Sequence, residues 1–123
     1  MTQSHMAREV AEIPQAAARF LSQSADAVAS AAAAMRAADP ALLVTVARGS
    51  SDHAATYLKY AVELLAGVPV ASVGPSIASI YHRPLKLGKA ACIGISQSGQ
   101  SPDIVEMIRA ARAMPSRSRP PCS

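Results

Sequence analysis

The apolar positions fall into stretches of two kinds. "ALLVTVA", residues 41–47, is a continuous, partly β-branched run and reads as a short buried strand. "AACIGI", Ala90 to Ile95, has the same character, and "VPVASV", residues 68–73, is a weaker version. Elsewhere the spacing is helical. Tyr57, Tyr60, Ala61, Leu64 and Leu65 recur three and four apart, and Gly67 follows as a C-terminal stop. Pro102 to Ala113 is another strong helical pattern, with proline in the first turn, where its missing N–H is harmless. "GPSIASIYH" predicts a short helix with Pro75 in its first turn. Residues 6–38 read as helix, with Ile13, Phe20 and Leu21 on an apolar face and alanine dominating from Ala25 to Ala38. Pro14 predicts a division there, into a piece ending at Glu12 and a helix starting near Pro14. Asp39-Pro40 ends the region.

The resulting order is helix, strand, helix, strand, short helix, strand, helix. Such alternation predicts an α/β fold with a parallel sheet covered by helices on both faces. Ligands of such sheets sit beyond the carboxyl ends of the strands. Two polar segments, "RGSSDH" and "SQSGQS", follow strands at that end. Three sections result: a helical lead-in over 1–40, an α/β domain over 41–113, and an irregular tail over 114–123.

Composition narrows the function. Half of the 123 residues are hydrophobic but only 3% are aromatic, so the core must be aliphatic and alanine-rich. No stretch approaches the roughly 20 apolar residues of a membrane span, and the first residues carry no apolar signal segment. A cytoplasmic location and no membrane partner are the expectation. The net charge of +4 includes Arg117 and Arg119 of the tail; without them 10 basic residues face 8 acidic ones. The basic residues are scattered and aromatics for base stacking are scarce, which argues against nucleic acid. A modest positive bias suits a small anion. Cys92 and Cys122 lack metal-ligand spacing, and Cys92 reads as a buried small hydrophobe. No metal or other cofactor is expected.

The polar segments carry the candidate chemistry. A helix N-terminus offers unpaired N–H groups and a partial positive charge, both of which attract phosphate. "SQSGQSPD" adds the hydroxyls of Ser96, Ser98 and Ser101, the amides of Gln97 and Gln100, and backbone freedom at Gly99. "GSSDH" offers Gly49, Ser50 and Ser51 in the same way. Neither matches a Walker A or dinucleotide glycine pattern. Hydroxyl-rich loops without lysine suit a monophosphorylated, hydroxylated ligand. Capping is the competing reading: Ser101 with Asp103, and Ser51 with Asp52, could merely start helices. The residues alone leave both readings open. Asp52-His53 forms no acid/base pair, because adjacent helical residues point apart. His82 and Arg83 read as a solvated turn. No catalytic residue stands out.

"VARGSSDHAATYLKYAVELLAG" and "CIGISQSGQSPDIVEMIRAAR", with "VASVGPSIASIY" between them, resemble the sugar isomerase (SIS) domain from Leu42 to Arg112. The lead-in "MAREVAEIPQAAARFL" is similar to that of the isomerase half of glutamine–fructose-6-phosphate aminotransferases and of aminosugar-phosphate deaminases and isomerases. The resemblance implies a flavodoxin-like, three-layer α/β/α domain that binds a phosphosugar of the fructose 6-phosphate or glucosamine 6-phosphate class. It implies that Ser96, Gln97, Ser98 and Ser101 hold the phosphate and that Gly49, Ser50 and Ser51 lie against the sugar. This chain has Gln100 where many aminotransferases have Glu, and Arg48 where they have Cys. Arg48 could contact an anion or point to solvent. The family's acid/base residues lie in a second SIS domain, so this segment implies recognition and not proton transfer. Intact relatives are commonly homodimers.

After "IRAARA" the family pattern implies a glycine-led turn and another strand, whereas this chain has "MPSRSRPPCS". The expectation is a C-terminally truncated SIS domain whose tail is out-of-frame or otherwise truncated sequence. The alternatives are a non-enzymatic sensor of sugar phosphates and a non-functional fragment.

Overall fold

The computed structural model describes residues 4–113. The tail, with Cys122 and the out-of-frame reading, lies outside the described residues. The chain forms two compact units, divided between Ala37 and Ala38.

The first unit holds α1 (His5–Gln23) and all but the last residue of α2 (Ala25–Ala38). Ser4 caps α1, its hydroxyl oxygen accepting the Ala7 N–H at 3.2 Å. The expected division at Pro14 does not occur, and α1 runs through it. An interior proline removes one i→i−4 bond and crowds the preceding turn. Ala16, Ala17 and Ala18 follow at once, and alanine has the highest helix propensity. The break comes instead at Ser24, whose N–H closes the last turn on the Phe20 carbonyl. Ile13, Phe20 and Leu21 are exposed.

The second unit contains β1 (Leu42–Ala47), α3 (Ser50–Ala66), β2 (Val70–Ser72), α4 (Ser76–Ser79), β3 (Ala90–Ile95) and α5 (Pro102–Arg112). The sheet order is β2-β1-β3 and both pairings are parallel. β1 lies in the middle and is buried from Leu43 to Ala47. Strand geometry sends alternate side chains to opposite faces. Val44 and Val46 therefore point one way, into a cluster with Ala78 of α4 and Ile104 and Met107 of α5. Thr45 points the other way and shares a small cavity with Asp52, Ala55, Thr56 and Lys59 of α3. Helices thus cover both faces, giving the three layers expected.

The core contains no aromatic residue. Close approach replaces bulk. Gly94 of β3 lies against α5, and a Cβ there would come within 3.1 Å of both Ile104 and Ile108. The α3 stripe of Tyr57, Tyr60, Leu64 and Leu65 is exposed, and Ala55 is the helix's buried residue. The periodicity identified the helix but not the face that meets the sheet. Gly67 ends α3 in the left-handed region, at φ 66°. Cys92 is a half-buried free thiol packed against the core cluster, and burial raises its pKa.

Candidate functional site

The topology sets the position of the site. From β1 the chain runs through α3 to β2 on one side, then crosses by α4 to β3 on the other. The direction of winding reverses between β1 and β3. Open parallel sheets form a crevice at such a point, outside the carboxyl ends of the two strands. β1 ends at Ala47 and leads into Arg48-Gly49-Ser50-Ser51, while β3 ends at Ile95 and leads into Ser96–Ser101. Both predicted segments therefore leave adjacent strands at the switch point.

The first segment is shorter than its sequence suggests. α3 begins at Ser50, so Ser50, Ser51, Asp52 and His53 are its first turn and not a loop. Gly49 makes the transition with φ 58° and ψ −133°, a conformation that a β-carbon disfavours. The space beside it is open, with no atom within 4 Å of where a Cβ would lie. No side chain caps α3.

The second segment is organised by its own serines. The Gly99 N–H donates to Ser96 Oγ at 3.2 Å, and the Gln100 N–H donates to Ser98 Oγ at 3.2 Å. Ser96 Oγ and Ser101 Oγ lie 3.0 Å apart and share a hydrogen bond. Each hydroxyl has one hydrogen to give and lone pairs to receive. The Ser96–Ser101 pair uses one of its two hydroxyl hydrogens, so the other is left for an outside acceptor. Ser98 accepts from the backbone and retains its own hydrogen. The loop turns acceptors inward and leaves donors over, which suits an anion. Gly99 sits at φ 68° in open space.

Ser101 stands at the N-cap position of α5, yet its side chain makes no cap bond; it is turned back to Ser96. The simple capping role is therefore not the one it takes. Pro102 occupies the first helical turn, as expected. Asp103 Oδ1 accepts the Ile104 N–H at 3.1 Å, and Asp103 Oδ2 accepts from Arg48 Nη1. Of the two possibilities for Arg48, an anion contact or solvent, the guanidinium takes neither alone. It bridges from the end of β1 to the first turn of α5, across 55 residues of sequence.

A cleft of about 580 Å³ adjoins this bridge, lined by Arg48, Ser79, Ile80, His82, Asp103 and Glu106 among others. A second hollow, of about 470 Å³, contains Ser96 and Gly99 and follows β3 and α5. Gln97 and Ser98 are exposed and line neither. His82, read from the sequence as part of a solvated turn, is exposed and follows the turn at Ile80 and Tyr81, with φ 48°. Sequence reading missed that it borders the cleft. Among the described residues no cluster of His, Cys, Asp or Glu could hold a metal ion, and no helix is long and apolar enough to cross a membrane.

The fold and switch-point loops define an α/β protein of the open parallel-sheet class. The chain is similar to a crystal structure described as a putative phosphosugar isomerase, from Silicibacter pomeroyi DSS-3. Identity is 57% and the TM-score 0.78, over 85% of this chain and 32% of that one. The chain thus spans about a third of that protein's length. No family profile and no curated protein matches the chain.

Proposed function

We propose that this chain is a phosphosugar-binding SIS domain, belonging to an aminosugar-phosphate isomerase, deaminase or aminotransferase-like enzyme. The observation that carries the reading is the Ser96–Ser101 loop, with its surplus hydroxyl donors at the N-terminus of α5. Ser96, Ser98 and Ser101 hold the phosphate, with O–H donation from Ser98 and from whichever member of the Ser96–Ser101 pair keeps its hydrogen; Gln97 adds an amide, and the α5 N-terminus contributes its dipole. Gly49, Ser50 and Ser51 line the sugar side, where Gly49 lets the backbone come close. The similarity to the Silicibacter pomeroyi protein supports a sugar phosphate as the ligand class. Residues that transfer protons are assigned outside this chain, so its part is recognition. The tail from residue 114 is assigned to no part of the site.

Thermal unfolding with and without glucosamine 6-phosphate or fructose 6-phosphate tests the proposal. Binding to the native state alone raises stability by about 2.7 kcal/mol at a hundredfold excess over Kd. The expected result is a rise in Tm with one of these ligands and not with the unphosphorylated sugar, and a much smaller rise in Ser98→Ala. Equal response to the unphosphorylated sugar would contradict a phosphate site.

A further inference from the structure

Two residues after Ser101, an acid stands at the same helix N-terminus. Asp103 lies in the first turn of α5, with its side chain only 14% exposed. The helix N-terminus that would attract phosphate also carries a carboxylate that would repel it. No lysine or arginine occurs from Ser96 to Asp103; Arg109 and Arg112, further along α5, line the hollow that holds Ser96 and Gly99, and Arg48 is the one such cation between Ala47 and Tyr57. Its guanidinium is spent on Asp103, although its side chain remains 65% exposed. Guanidinium has five N–H donors, so one carboxylate oxygen leaves most of them free. Glu106, one turn along α5, adds a second carboxylate to the same cleft.

We propose that Arg48 determines the charge selectivity of this site. It cancels Asp103 at the mouth of α5, and it turns its remaining donors toward the bound phosphate. The inference rests on the phosphosugar reading above and adds to it a residue outside the serine loops. With Arg48 65% exposed, solvent screens the pair and its contribution to stability is modest. Here the value of the pair lies in the potential that an incoming anion meets. Arg48 needs Asp103 only weakly, whereas Asp103 without Arg48 is a liability to binding.

That asymmetry separates charge cancellation from a mere clasp between the two strand ends. The full chain and its Arg48→Ala, Asp103→Asn and double variants are titrated calorimetrically with glucosamine 6-phosphate. Asparagine retains an oxygen for the Ile104 N–H, so the first turn of α5 keeps that bond. Arg48→Ala is expected to weaken binding by roughly tenfold or more, the scale of a lost charged hydrogen bond. Asp103→Asn is expected to bind as well as the parent or better. The double variant is expected to recover part of the loss, a gain that misfolding cannot imitate. Equal losses in both single variants, with no recovery in the double, would overturn the proposal in favour of a clasp. So would parental affinity in Arg48→Ala. Failure of the parent chain to bind any phosphosugar would remove the functional reading itself, and this inference with it.

Discussion

Replacing Met107 by alanine is expected to lower the unfolding free energy by about 2–5 kcal/mol, the range for deleting a fully buried methionine. Met107 is 2% exposed and packs in one cluster with Val44, Val46, Ala78 and Ile104. That cluster joins β1 to α4 and α5. With no aromatic residue in the core, no large neighbouring ring can move into the space. Domains are typically stable by only about 5–15 kcal/mol, so this loss is a large share of the total. Urea denaturation measures it as a lower midpoint with an unchanged slope. Leu65→Ala is the control. Leu65 is 88% exposed, and its replacement is expected to change stability by no more than about 0.5 kcal/mol. Equal effects of the two substitutions would contradict the docking of α5 on the sheet. Because α5 presents Ser101 and Asp103, the Met107 variant should also lose ligand affinity.

The second large effect concerns the loop. Ser96→Ala is expected to weaken phosphosugar binding by roughly ten- to a hundredfold, from the loss of about 1.5–3 kcal/mol in hydrogen bonding to a charged group. Ser96 has two roles here, accepting the Gly99 N–H and pairing with Ser101. Its removal takes away a donor and releases the turn at Gly99. Ser96→Thr retains the hydroxyl and is expected to restore most of the affinity. Calorimetric titration of both variants gives the comparison. If Ser96→Ala bound like the parent, the serines would serve only to shape the turn.

The sequence made the local decisions legible. The strand at Ala90–Ile95 coincides with its apolar run, and β1 differs from its run only by the omission of Ala41. Gly67 and Pro102 end and start helices because their backbone preferences leave few other uses. Pro14 misled because one lost hydrogen bond does not stop a helix whose next residues are alanines. Ser50 and Ser51 read as loop because serine favours caps, yet Gly49 alone makes the turn and α3 starts directly after it. The α3 stripe showed a second limit. Tyr57, Tyr60, Leu64 and Leu65 give the helical period, but the covered face is set by the sheet, and Ala55 meets it.

The places of the two polar segments after their strands were legible, and the bonds between them were not. The position of the two polar segments follows from strand order and winding. The bond from Arg48 to Asp103 spans 55 residues and depends on β1 and β3 being neighbours. No local pattern encodes it. The turning of Ser101 toward Ser96 likewise required the three-dimensional path of the loop, because its sequence position marks it equally well as a cap.

The Ser96–Ser101 loop and the Gly49–Ser51 turn are proposed to bind one phosphosugar. Backbone amide NMR shifts of the chain, followed through a titration with glucosamine 6-phosphate and fructose 6-phosphate, test it most directly. Saturable shifts are expected, concentrated at Gly49, Ser50 and Ser51, from Ser96 to Ser101 and at Asp103. Saturable shifts confined to the opposite face of the sheet, around Thr45 and Lys59, or no shifts at saturating concentrations of both ligands, would contradict the proposal.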